Sequence, residues 1–112
     1  MKKSKAKSLF EQEMEDPEFH ARFEEKHEIF KIEVQLLMAL ERQGLTYEKL
    51  ARAIDSHKSN ISRDLRGGGI NNASLARIRK LADALGMIFI PLVISKRHAS
   101  RIIPQLEKLV AA

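Results

Sequence analysis

Residues 45–66 read Leu45-Thr46-Tyr47-Glu48-Lys49-Leu50-Ala51-Arg52-Ala53-Ile54, then Asp55-Ser56-His57, then Lys58-Ser59-Asn60-Ile61-Ser62-Arg63-Asp64-Leu65-Arg66. Thr46 is a candidate N-cap for a short helix over about Tyr47 to Ile54, with Glu48 favourably placed in its first turn and Leu50, Ala51 and Ile54 on its inner face. After the tight Asp55-Ser56-His57 connection, only Ile61 and Leu65 recur at helical spacing in Lys58 to Arg66, which predicts a mostly exposed second helix. Two short helices joined by a tight turn, the second polar on nearly its whole outer face, form a geometry that can enter a DNA major groove.

The outward set relative to Ile61 and Leu65 is Lys58, Ser59, Ser62, Arg63 and Arg66. It supplies groups for guanine edges, hydroxyls for adaptable hydrogen bonds, and phosphate anchors. Arg63 is the foremost candidate for reading a base. A charge-rich helix face is usually just a solvated one. Two serines and Asn60, however, are poor helix formers and need another reason to be there.

Working outward, Asp16-Pro17 reads as an N-cap and a first helical residue, and no further proline and no glycine intervenes before Gln43. Phe19, Phe23, Phe30, Val34 and Leu37 form one apolar stripe, with Glu24, Glu25, Lys26 and Lys31 outward, and Gly44 supplies a left-handed stop. One bent helix or two consecutive ones both fit. On the other side Gly67-Gly68-Gly69 breaks the chain, and Asn71 or Asn72 caps a helix whose core face is Leu75, Ile78, Leu81, Ala82 and Leu85, ended by Gly86. Met87 to Ile94 is β-branched and aromatic at most positions and predicts a strand, with Pro91 marking an edge. Lys96 to Ala112 predicts a basic turn and a short helix with Pro104 near its start and Leu106, Leu109 and Val110 inward.

With 112 residues the chain has room for one compact domain and an appendage. Its 44% hydrophobic and 31% charged residues suit a soluble protein with a modest core. The absence of cysteine excludes disulfides, thiolate metal sites and a cysteine nucleophile. The longest apolar run, Met87 to Ile94, falls far short of the roughly 20 residues of a membrane span. The basic start is followed by acids rather than by a signal peptide's apolar region, so a cytoplasmic location without membrane association is expected. The net charge of +5 is segregated: residues 10–33 carry nine acids against three bases, whereas residues 42–112 carry thirteen bases against five acids. A field of that kind favours a polyanion such as duplex DNA.

Leu45 to Ile54 followed by Ser59-Asn60-Ile61-Ser62-Arg63-Asp64-Leu65-Arg66-Gly67 resembles the Cro/C1-type (XRE) helix-turn-helix family, over about residues 29–85. The resemblance implies a mainly α, lambda-repressor-like bundle, here with an N-terminal amphipathic helix and one C-terminal β-strand. It implies that the helix starting near Lys58 is the recognition helix and that Thr46 and Tyr47 meet phosphate at the preceding helix's N-terminus. His57 begins the recognition helix and reads equally as a DNA contact or a plain turn residue; with Asn60 it completes the candidate contact set. The chain departs from the family at Asp55, where glycine is usual in the turn, and at Gly68-Gly69, where a basic residue is frequent.

Asp16-Pro17-Glu18-Phe19 before the motif, and Leu85-Gly86-Met87 leading into the apolar run behind it, resemble the HigA-type antitoxins and their stand-alone relatives. That resemblance implies an antitoxin of a type II toxin-antitoxin system, binding a small ribosome-dependent ribonuclease toxin of the RelE/HigB type and repressing the shared operon. The expected organisation is a basic tip with an acidic helix over residues 1–28, the DNA-binding domain over 29–86, and a dimerisation or partner strand with a terminal helix over 87–112. A lone strand leaves its backbone unpaired, so Ile88, Phe89, Ile90, Leu92, Val93 and Ile94 are expected to pair with a second copy, a toxin's sheet edge, or Arg101-Ile102-Ile103. The homodimer is favoured, and it would set two recognition helices toward half-sites of a palindrome.

Other signals carry less. His20, Glu24 and His27 could share a helix face, but histidines seven apart without a further ligand make a poor metal site, and His27 reads more simply as a partly buried member of the aromatic stripe. Gly67-Gly68-Gly69 lacks the Lys-Ser/Thr of a phosphate-binding loop, since Ile70-Asn71 follows it. No nucleophile-base set or cofactor fingerprint stands out, so neither an enzyme nor a cofactor is expected, and 5% aromatic residues are too few for a single-strand stacking platform.

Overall fold

The computed structural model describes residues 8–111 and is helical throughout apart from its connections. The basic tip, residues 1–7, lies outside the described residues. In chain order the helices are α1 (Leu9–Met14), α2 (Pro17–Gln43), α3 (Tyr47–Ala53), α4 (Lys58–Asp64), α5 (Leu75–Ala84) and α6 (Lys96–Ala111), with a 3-10 turn at Gly69–Asn72.

Residues 17–43 form one helix. Asp16 Oδ1 accepts from the Glu18 N–H at its start, Pro17 needs no intrahelical donor there, and Gly44 at φ 66° ends it. At 1.5 Å per residue it is about 40 Å long, which accounts for a molecule of 55 × 29 × 27 Å. Its C-terminal half lies in the bundle and its N-terminal half projects as an arm. Ser8 and Glu11 start α1 with a reciprocal capping box, and α1 folds back so that Phe10 meets Phe19 and Phe23 edge-on, at ring centroids 6.4 and 5.3 Å apart.

The core joins Leu36, Ala39 and Leu40 of α2 to Leu50 and Ala51 of α3, Ile61 and Leu65 on α4 and after it, Ile70 of the 3-10 turn, and Ile78, Leu81, Ala82 and Leu85 around α5. The stripe expected on α2 therefore divides. Phe19 and Phe23 serve the arm, Val34 and Leu37 are half-buried, and Phe30 is 60% exposed because the burying face turns to Glu33, Leu36, Ala39 and Leu40. His27 is exposed rather than partly buried, stacked on Phe23 at the arm's surface.

Three expectations downstream are corrected. Asn71 and Asn72 lie in the 3-10 turn, and Ser74 caps α5 by accepting from the Arg77 N–H; this start leaves Leu75 56% exposed. No strand forms among the described residues. Ile88, Phe89, Ile90, Leu92, Val93 and Ile94 run without regular structure, because a strand needs a neighbouring edge and Arg101-Ile102-Ile103, the only intrachain candidate, is helical. The terminal helix begins at Lys96, so Pro104 lies inside it rather than near its start. Leu109 and Val110 are exposed, at 73% and 67%, and Leu106 is half-buried.

The glycine loop crosses the end of α4 at very close range. A Cβ at Gly69 would stand 1.7 Å from the Arg63 carbonyl oxygen. Gly69→Ala is therefore expected to push the loop off α4 and lower stability by about 1–3 kcal/mol in urea unfolding. Replacement of exposed Ala53 by Ser should stay within about 0.5 kcal/mol.

Candidate nucleic-acid interface

Helices α3 and α4 hold the motif at an angle fixed by one backbone irregularity. Asp55 takes φ 56°, the left-handed conformation that a glycine would adopt without strain, and Ser56 N–H donates to the Ala51 carbonyl at 2.7 Å to close the turn. Asp is among the few non-glycine residues that visit this region routinely, so the turn tolerates it. Thr46 caps α3 by accepting from the Lys49 N–H at 3.1 Å. His57 occupies the N-cap position of α4 without a side-chain cap bond.

The candidate contact residues lie along this pair. Thr46, His57, Lys58, Ser59, Arg63 and Arg66 are exposed, and Asn60 and Ser62 are half-buried, while Ile61 and Leu65 are fully buried beneath them. Tyr47 is half-buried against the core rather than displayed. Arg63 Nη2 donates to Asn60 Oδ1 at 2.6 Å across one turn of α4. The segment Ile88–Ile94 lies outside this face.

Two buried acids that the outward-face pattern passes over set the position of α4. Asp64 is 7% exposed and faces inward, where Arg77 of α5 donates to it through Nε; Arg77 Nη2 also donates to Ser56 Oγ in the α3–α4 turn at 3.0 Å. One guanidinium thus ties the turn, α4 and α5. Glu33 of α2, 5% exposed, accepts from the N–H groups of Gly68 and Ile70 at 3.1 and 3.2 Å and pins the loop that leaves α4. Their positions carried a signal: Asp64 stands three residues after Ile61, and Glu33 stands three before Leu36 and four after Ile29, so each shares the inward stripe.

Beside the C-terminal end of α4, an open groove of about 920 Å³ lies between α2 (Glu25, Lys26, Ile29, Phe30) and Arg66, Gly67 and Gly68. On the arm, His20 Nε2 lies 3.6 Å from Glu24 Oε1. Among the described residues no group of three His, Cys, Asp or Glu side chains could hold a metal ion. No described helix is long and apolar enough to cross a membrane.

Comparison with known proteins bears on this pair. Residues 36–88 match the family model described as Helix-turn-helix. No curated protein and no solved structure matches the chain. The matched span runs from the buried half of α2 through α5, and so contains α3, α4 and the network that fixes them.

Breaking that network has a definite expected cost. Asp64→Ala leaves Arg77, whose side chain is 28% exposed, without its carboxylate, and should lower stability by about 3 kcal/mol. Glu48→Ala removes an exposed i,i+4 contact with Arg52 and one first-turn charge of α3, and should cost no more than about 1 kcal/mol. Chemical denaturation of the two variants beside the parent chain checks the contrast.

Proposed function

We propose that this chain, whose residues 36–88 match the helix-turn-helix family model, is a DNA-binding protein of the Cro/C1 (XRE) type and a sequence-specific transcriptional repressor that binds palindromic duplex DNA as a homodimer. The observation that carries the reading is the outer face of α4, where Lys58, Ser59, Arg63 and Arg66 stand exposed and the only acid of the helix is turned inward. Cations at the rim engage phosphate and position the helix; the polar groups between them address base edges.

The dimer is supported by the apolar surface that follows the domain. Ile88, Ile90, Leu92 and Val93 are 84, 65, 60 and 101% exposed in a single chain, and among the described residues none of the backbone groups of residues 88–94 bonds to another backbone group. Contact between two copies along residues 88–94 removes this surface from water and meets the unpaired groups. Phe89 and Ile94 are already partly covered and act at the margin of that face.

A second reading is favoured by the arm. Residues 10–33 carry nine acids against three bases, and Leu9, Phe10 and Phe30 are exposed along it. Such a surface suits a small basic protein through steering and apolar contact. On this reading the repressor is also the antitoxin of a type II system, holding a ribonuclease toxin and controlling their shared operon.

The deciding experiment is recovery of sheared genomic DNA by the purified chain at about 150 mM salt, followed by sequencing. Enrichment of one or a few palindromes supports the repressor reading, and absence of any enrichment overturns it. On an enriched duplex, Arg66→Ala should lower the slope of log affinity against log salt by about one while leaving the preferred sequence unchanged. Val93→Asp should convert a sedimenting dimer to monomer and weaken operator binding without changing the helical circular dichroism; a parent chain that sediments as a monomer at micromolar concentration would overturn the dimer.

A further inference from the structure

We propose that Asn60 and Arg63 form one reading unit for the major-groove edge of a guanine, with Arg63 making the contact and Asn60 positioning it. The inference rests on the duplex DNA reading above and names the base that this face recognises.

The pair is three residues apart on α4, and its bond of 2.6 Å from Arg63 Nη2 to Asn60 Oδ1 lies on the solvent side of the helix. A free arginine side chain loses much rotamer entropy on docking, and one already held loses less. A single bond uses one of the five guanidinium N–H groups. The four left can supply the two parallel donors that guanine O6 and N7 accept.

The same bond argues against the obvious alternative. An asparagine that reads adenine accepts from N6 with its amide oxygen and donates to N7 with its amide nitrogen. In this chain the Asn60 oxygen already accepts from Arg63, which leaves only its second lone pair for an adenine N6 and ties the amide to the arginine. The guanidinium is also free of the competitor most able to withdraw it. Asp64, the only acid in α4, is buried against Arg77, and among the described residues no carboxylate lies within ion-pair distance of Arg63.

The test uses the full chain and a duplex selected by it from a random pool. Each guanine in turn is replaced by 7-deazaguanine, which keeps base pairing but lacks the N7 acceptor. The parent chain is expected to lose about 5- to 150-fold in affinity at one guanine of each half-site. Arg63→Ala should bind the unmodified duplex more weakly and be indifferent to that replacement. Asn60→Ala, with circular dichroism unchanged, should keep a smaller penalty, and Asn60→Asp, which retains an acceptor for Arg63, should restore the penalty although it binds all duplexes less tightly. Indifference of the parent chain at every guanine overturns the inference while leaving DNA binding intact. An undiminished guanine penalty in Asn60→Ala removes Asn60 from the unit, and loss of selection at an adenine in that variant assigns Asn60 a base of its own. Failure to select any duplex overturns the DNA reading and this inference together.

Discussion

Asp64 leaves about a tenth of its side chain exposed, and a carboxylate so placed is tolerable only because Arg77 of α5 meets it. The demand runs both ways. The guanidinium that answers Asp64 is planar and rigid, and its far nitrogen donates to Ser56 in the turn between α3 and α4. The rotation of α4 about its own axis is thereby constrained by more than the apolar contacts of Ile61 and Leu65. Two buried aliphatic side chains four residues apart define an inner face but tolerate a few degrees of roll, whereas a charged hydrogen bond to a planar fork does not. On the reading that the outward groups of α4 reach base edges, the pair bears on recognition without taking part in it.

A second acid governs where the chain goes next. Glu33 reaches from the middle of α2 to the N–H groups of Gly68 and Ile70, and Gly69 between them passes so close to the Arg63 carbonyl that no side chain fits. The glycine run is thus more than a stop for α4. It lets the loop fold directly over the end of the helix and deliver Ile70 to the core at 2% exposure. Both acids neutralise inward needs of the fold, which leaves the outer face of α4 with cations, hydroxyls and one amide, the set of groups a phosphate-rich groove accepts.

Much of this was legible in the sequence where a local rule applied. Asp16-Pro17 and Gly44 gave the start and stop of α2, Thr46 the start of α3, and the Ile61–Leu65 spacing the inner face of α4, because capping and periodicity are short-range properties, whereas the buried face of α2 was set by the packing of the bundle and not by its longest apolar stripe. Asp55 stands where the family that the motif resembles usually has glycine, and it takes the left-handed conformation such a turn asks for. Helix α1 was missed although Ser8 and Glu11 spell a capping box, a signal that precedes too few apolar residues to stand out. The Asp64–Arg77–Ser56 network and the Glu33 clasp were not legible, since each joins residues 13 to 37 positions apart and the partner of a buried acid is not encoded beside it. Residues 87–94 failed in a different way. Their composition expresses a preference for extended backbone, and that preference becomes a strand only when a second edge is supplied.

The arm constrains how a duplex can lie on the molecule. It leaves the bundle beside Arg66 and Gly67, as the shared groove of Glu25, Lys26, Arg66 and Gly67 requires, and it continues through the exposed Glu24 and Glu18. A phosphate backbone running along the arm would meet a segment with nine acids against three bases, and carboxylates within a Debye length of about 8 Å repel it with only partial screening. The N-terminus of α3 presents exposed Thr46, Glu48 and Lys49, and the first turn of α4 presents exposed Lys58. On the reading that α4 meets DNA, the acids of the arm disfavour a duplex path along it, while Arg66 at its root still offers a phosphate contact. On that reading a protein docked on the arm and a duplex docked on α4 do not compete for the same residues.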